Sequence, residues 1–307
     1  PIILHNLSVL LQSAYGDWSG ALKLSLEALA LEYRESRRPY FLELFHDGAA
    51  QSLVALGDLT GAEEHVKKVR RLQVGRRPWE DHKYQGYPQN DRTWFLLLYA
   101  QGELQRARVV GTRMPDSTDV CEALAWAALA EGSASGVHTW LPRMDEAATR
   151  AFSARGREEL RASSLLLRAG VTALEDDPRA ADPSGTGHSD APEGGENMRQ
   201  LATALTIIID LQFVPLAFDA LLVAHLVAPS AVGKDVLALV ARQPSAHGHT
   251  RRWATSLLQR YPSTAGVSMQ GVAVSAAPSQ EGLSPAAIKD IAGELLSRLP
   301  AAALSAR

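Results

Sequence analysis

Apolar positions recur three and four apart along most of the chain, and the runs are broken by short polar turns at related places. Leu4, Leu7 and Leu11 precede one such turn, and Leu22, Leu26 and Leu29 follow it. This spacing puts one side of each run on a single helix face and predicts helices over 3–14 and 18–34. The same pattern predicts further pairs at 40–56 with 59–73, 91–101 with 104–113, and 118–131 with 137–153. Pro142 falls near the start of the last of these or kinks it. A long amphipathic helix is expected over 156–175, and others at 197–211, 214–228, 231–243 and 247–260, separated by Pro215, Pro229 and Pro244. Ile207, Ile208 and Ile209 are β-branched, but they sit inside a helical run with no strand to pair with, so they read as buried helix.

The turn itself repeats. Gly16-Asp17-Trp18-Ser19-Gly20-Ala21, Gly57-Asp58-Leu59-Thr60-Gly61-Ala62 and Gly102-Glu103-Leu104-Gln105-Arg106-Ala107 share one design, and Gly132-Ser133-Ala134-Ser135-Gly136-Val137 is a fainter copy. The first Gly can close a helix in the left-handed conformation. The acidic residue after it can accept hydrogen bonds from the free N–H groups of the next helix. Ala21, Ala62 and Ala107 are small where two helices must approach. Recurrence of this kind marks repeat architecture. The copies are 41, 45 and 30 residues apart, so the period is irregular.

Two stretches break the helical pattern. Residues 176–196 are rich in Asp, Pro, Gly and Ser and lack large apolar groups, as expected of a flexible insertion. Residues 262–283 read as a linker before a last helix at 284–299, which Pro285 opens at a favoured position. The organisation expected is therefore helical repeats over 1–175, the insertion, further repeats over 197–261, the linker, and a detached terminal helix. The interval 74–90 mixes Pro, Gly and aromatics and reads as a loop or broken helix.

Composition narrows the function classes. A net charge of −3 argues against a surface built mainly for nucleic acid or membrane. The single cysteine, Cys121, excludes an intrachain disulfide and suits a cytoplasmic, reducing compartment; it reads as a small core residue. No run has the length of a membrane span. Six Lys against 25 Arg hint at a GC-rich bacterial genome. The chain opens on Pro1 without an initiator Met and is expected to be part of a longer protein.

No motif carries an enzyme reading. Ala228 to Asp235 has the Gly233-Lys234 pair of a phosphate loop but lacks its first Gly, its Ser/Thr and a preceding strand; it reads as a helix start. Gly187-His188-Ser189-Asp190 holds the letters of a hydrolase triad, but adjacent residues cannot form its geometry. His225, His247 and His249 have no carboxylate or Cys at ligand spacing and read as solvated histidines. Neither a cofactor nor a metal is expected. Lys67, Lys68, Arg70, Arg71, Arg76 and Arg77, followed by Trp79, Tyr84 and Tyr87, form the best basic and aromatic cluster. It could track phosphates, or it could be a solvated helix face at the favoured C-terminal end.

Residues 4–131 resemble tetratricopeptide repeats through the turns quoted above, with Ala50 at the small position of a first helix. Val9, Phe95 and Ala125 occupy the equivalent positions, and Phe95 is large for a close crossing. The stretch from Asp235 to Tyr261, with its Gln243-Pro244-Ser245-Ala246 break and its Arg-bearing helix, and the tail from Leu283 to Leu299 are similar to the end of the helical-repeat region in bacterial STAND-class signalling ATPases and large LuxR-type and AfsR-type regulators. The resemblance implies an all-α solenoid of antiparallel helix pairs, acting as a non-catalytic sensor and interaction arm. Its ATPase domain would lie upstream in the same polypeptide. Repeat spacing would put Asn6, Asp47, Gln51, Arg92, Glu122 and Trp126 on first helices facing a concave groove for a protein or peptide. Nucleic-acid binding through residues 67–77 is the alternative.

Overall fold

A computed structural model describes residues 1–35, 38–74, 89–112, 118–150, 154–176, 195–228, 232, 234–243, 246–260, 290, 293–295 and 297. Among these every regular element is helical and there is no strand. The loop expected at 74–90 and the linker at 262–283 lie almost wholly or wholly outside the described residues. So does most of the insertion at 176–196, including the stretch from Gly187 to Asp190.

Helix α1 (Ile2–Leu10) runs into a π turn at Leu11–Tyr15. There follow α2 (Trp18–Glu35), α3 (Pro39–Leu56), α4 (Leu59–Val74), α5 (Gln89–Gln101), α6 (Leu104–Gly111), α7 (Thr118–Ala130), α8 (Ala134–Arg150) and α9 (Ala154–Glu175). The C-terminal elements are α10 (Glu196–Leu211), α11 (Val214–Val227), α12 (Lys234–Arg242) and α13 (Gly248–Arg260). Pro142 falls inside α8 rather than at its start, and Ile208 is buried within α10. The single helix expected over 3–14 is instead an α-helix and a wider turn. That turn places Gln12 inside the protein, where its Nε2 donates to Gly48 O (3.2 Å) and Ser52 Oγ (2.9 Å).

The repeated turns close as their chemistry dictates. Gly16, Gly57, Gly102 and Gly132 have φ of 61°, 85°, 84° and 77°, a region that costs a residue with Cβ about 1–2 kcal/mol. Asp17 Oδ1 accepts from Gly20 N (2.8 Å), Asp58 Oδ1 from Gly61 N (2.9 Å) and Ser133 Oγ from Gly136 N (3.2 Å). Each satisfies a donor that the helix start leaves open. Glu103 departs from the pattern and binds Arg106 instead. A different cap serves α3: the buried Glu32 carboxylate accepts from the backbone N of Arg38 (2.8 Å) while pairing with its guanidinium (3.1 Å).

Ala21, Ala62 and Ala107 are buried, as is Ala50. Phe95 is fully buried as well, and Gly111 makes room for it: a Cβ there would stand 3.3 Å from the ring and 3.0 Å from Leu124. Each helix from α1 to α9 packs on its chain neighbour where the connection is tight, and small apolar clusters join α2 to α3, α3 to α4 and α5, and α5 to α7.

The C-terminal helices build one larger core with α7, α8 and α9. Helix α11 lies at its centre, buried from Val214 through His225. From there the chain turns back: α11 reaches the N-terminal π turn, and α13 packs on α3, α5 and α11. Leu295 is 2% exposed and belongs to this core, so the terminal stretch is not detached at that residue, as its sequence had suggested.

Candidate functional site

Helix α11 carries two polar side chains in an otherwise apolar sequence, Asp219 and His225. A buried polar group needs a partner, and a buried charge needs one more strongly. His225 meets the need locally, with Nδ1 3.0 Å from Val232 O. Asp219 meets it through the start of α13. Thr250 Oγ1 donates to Asp219 Oδ1 at 2.6 Å. His247 Nδ1 stands 3.8 Å from Oδ2, and His249 Nε2 stands 3.6 Å from Oδ1. The two rings lie 5.2 Å apart, their planes inclined by 27°.

The surroundings fix this geometry. Gly248 separates the histidines and passes close to the end of α3, where a Cβ would come within 3.3 Å of Val54 O. The Trp18 ring packs 5.6 Å from His247, and the Tyr99 ring packs 5.8 Å from His249. Arg252 donates to Tyr99 O and Ala100 O, the latter at 2.5 Å, and its guanidinium lies 5.0 Å over the Tyr99 ring. The α5 carbonyls at the negative end of that helix thus take up the guanidinium charge. The site therefore sits where α2, α3, α5, α11 and α13 converge.

Electrostatics follow from burial and pairing. Burial alone would push the Asp219 carboxyl up, but the facing histidines outweigh it and hold the group well below the usual carboxylate range. Burial lowers His249, against the pull of Asp219. Burial likewise pushes the Tyr99 hydroxyl up to about 12. His247 Nδ1 and His249 Nε2 are buried atoms with no hydrogen-bond partner. Two imidazole nitrogens and one carboxylate that converge in this way can share protons or a cation. Among the described residues, no other group of three His, Cys, Asp or Glu side chains does so.

This corrects the sequence reading of the histidines. His249 has an 11% exposed side chain rather than a solvated one, and His225 is buried. The missing carboxylate was present 28 residues before His247, one α-helix away. The readable signal was an Asp in the middle of a helix whose other residues, His225 apart, are apolar.

The groove residues separate. Asp47, Gln51 and Arg92 come together between α3 and α5: Gln51 donates to Asp47 Oδ2 (2.8 Å). Burial pushes the Asp47 carboxyl up to about 6 against the opposing influence of Thr93, Arg92 and Gln51. Asn6 is exposed on α1, and Glu122 is half-buried on α7. Trp126 is a correction: it is 2% exposed, its indole N–H donates to Ser163 Oγ (3.0 Å), and its ring packs against Trp253 of α13 (6.2 Å). An aromatic of that size gains more from the core than from a wet groove.

In the basic cluster, Lys67 pairs with Glu63 (2.7 Å) and the Arg70 guanidinium stacks 4.3 Å over Trp94. Lys68 and Arg71 are exposed. Arg76, Arg77, Trp79, Tyr84 and Tyr87 lie outside the described residues. Lys234 opens α12, and Cys121 is buried. Among the described residues, no helix is long and apolar enough to cross a membrane. No protein-family model matches this sequence, and no curated protein matches it.

Proposed function

We propose that the chain is a tetratricopeptide-like repeat arm that senses and binds protein partners, without chemistry of its own, within a bacterial STAND-class ATPase or transcriptional regulator. The observation that carries this reading is the way α3 and α5 hold another helix. Their C-terminal ends take α13 through Arg252, with Gly248 in close approach and Trp126 and Trp253 in contact beyond. A helix laid in a groove between other helices is a recurring mode of partner recognition. The four left-handed glycine turns support the same architecture.

In this reading α13 occupies the inner surface in cis, and a partner helix competes for it. Release of α13 would shift the arm between two states, by as much as the partner's preference for one of them. Helix α1 leaves Ile2, Ile3, Leu7, Val9 and Leu10 exposed, an apolar face that a preceding element of a longer polypeptide would cover.

A synthetic peptide of residues 246–260 tests the groove. The Arg252→Glu chain, with its own α13 loosened, should bind this labelled peptide at least tenfold more tightly than the wild type, about 1.4 kcal/mol, by fluorescence anisotropy. Equal binding by a variant that keeps its helicity counts against the reading. The reading frame upstream of Pro1 tests the assignment to a larger regulator: it should encode a phosphate-loop ATPase.

A further inference from the structure

We propose that Asp219, His247 and His249 form a binding site for a divalent transition metal of the zinc class, which ties α11 to α13. This does not depend on the interaction-arm reading.

The separations suit ligands of one shared ion better than groups hydrogen-bonded to each other. A charge-assisted hydrogen bond between imidazole and carboxylate closes to roughly 2.7–2.9 Å. Here the gaps are 3.6 and 3.8 Å, to two different oxygens of one carboxylate. Ligands bound at about 2.0–2.2 Å around a tetrahedral ion stand roughly 3.3–3.6 Å from one another. The three ligand atoms lie within 4.8 Å of one another, so closure onto an ion would draw the most distant pair together by up to about 1.3 Å.

The unsatisfied atoms point the same way. His247 Nδ1 and His249 Nε2 are the ring nitrogens that face Asp219, and both are buried without a hydrogen-bond partner. A buried donor or acceptor left without a hydrogen bond is unfavourable, and a metal ion would satisfy both nitrogens at once.

Thr250 Oγ1 holds Asp219 Oδ1, as outer hydrogen bonds orient ligating carboxylates. Trp18 and Tyr99 brace the two imidazole rings.

Donor type selects the ion. Two imidazoles and one carboxylate suit Zn²⁺ and its neighbours, whereas Ca²⁺ and Mg²⁺ prefer all-oxygen shells. Three protein ligands leave a fourth position for water on the side of His247, whose side chain is 37% exposed. The positive end of α13 and the nearby guanidiniums oppose a cation. The buried carboxylate and the α5 carbonyls that engage Arg252 offset them.

The experiment uses the full chain, stripped with a chelator and titrated with Zn²⁺ by calorimetry and with Co²⁺ by visible absorption. The wild type should bind one equivalent at micromolar metal and show the d–d bands of four-coordinate Co²⁺. His249→Gln and Asp219→Asn should weaken binding by more than the roughly 10–100-fold typical of losing an outer partner. Thr250→Val, the milder change, should fall within that range. His138→Gln, an exposed histidine paired with Glu175, should bind as the wild type does. Absence of one-to-one binding by the folded wild type overturns the proposal. Undiminished binding by folded His249→Gln and Asp219→Asn overturns it too, since the metal would then lie elsewhere. Should those two variants fail to fold, Thr250→Val decides: wild-type affinity in that variant overturns the proposal.

Discussion

The two halves of the molecule solve the same problem differently. From α1 to α6 the helices share several small apolar clusters, each joining elements close together in the chain. From α7 onward one large core gathers helices distant in sequence, with α11 apolar on every side. A helix with one apolar stripe needs one neighbour, whereas a helix apolar all round must be enclosed. The difference teaches that the turn-based half builds outward locally, while α11 forces the chain to close around it. The turns differ accordingly. Left-handed glycines end the π turn, α3 and α5 in the first half and α7 at the start of the second. In the second, α10 ends on Gln212 at φ 56°, and Pro215 opens α11.

The largest test of this contrast is Phe218→Ala. Phe218 is fully buried at the heart of α11, so its loss should cost about 3–5 kcal/mol. If the large core is one cooperative unit, denaturation followed by far-UV circular dichroism and by tryptophan fluorescence should shift together. An unshifted transition in one of the two signals would show the halves to be independent.

Next in size is the tie between the halves. Arg252→Met keeps the stem but removes the donors to Tyr99 O and Ala100 O. A loss of roughly 1.5–3 kcal/mol per charged hydrogen bond is expected, less what water recovers. Amide exchange should quicken in α13 more than in α4; uniform change would mean that Arg252 is not a local tie.

A pH-dependent effect belongs to the N-terminal half. His46 is buried between Tyr33 and His65, with Nε2 3.1 Å from the hydroxyl and Nδ1 3.0 Å from His65 Nδ1. Burial, with the charges of His65 and Lys68, lowers it to about 3. Its neutral form therefore favours the fold. That contribution is complete above about pH 6.5 and is lost as pH falls toward 3, by up to roughly 1.4 kcal/mol per pH unit. The His46→Gln chain should show a shallower decline in stability between pH 6.5 and 4 than the wild type. Parallel curves would remove His46 from the account.

The smallest pair exchanges the two turn chemistries. Gly132 has φ 77° and open space around its Cβ position, so Gly132→Ala should cost about 1 kcal/mol from conformation alone. Gln212→Gly should return up to about 1 kcal/mol for the same reason. Thermal melts measure both, and a destabilised Gln212→Gly would mean that its side chain matters more than its backbone.

Much of the N-terminal fold was legible in the residues because its causes are local. The glycine turns, the Asp17 and Asp58 caps and the buried alanines each depend on a handful of neighbours. The π turn was not legible, since Gln12 is drawn inward by Gly48 and Ser52, residues far along the chain. The groove expectation failed at Trp126 for a related reason: repeat position says which way a residue points, not what arrives to cover it.

The amino-acid sequence by itself determined that this protein is helical, where most helices begin and end, and how its early turns close. Propensity, capping and backbone sterics act within a few residues. Only the tertiary structure decided that α13 returns to α3 and α5, and that Asp219 faces His247 and His249. Those meetings depend on how an all-apolar helix is enclosed, and the free energy of enclosure is shared among residues that no local pattern connects.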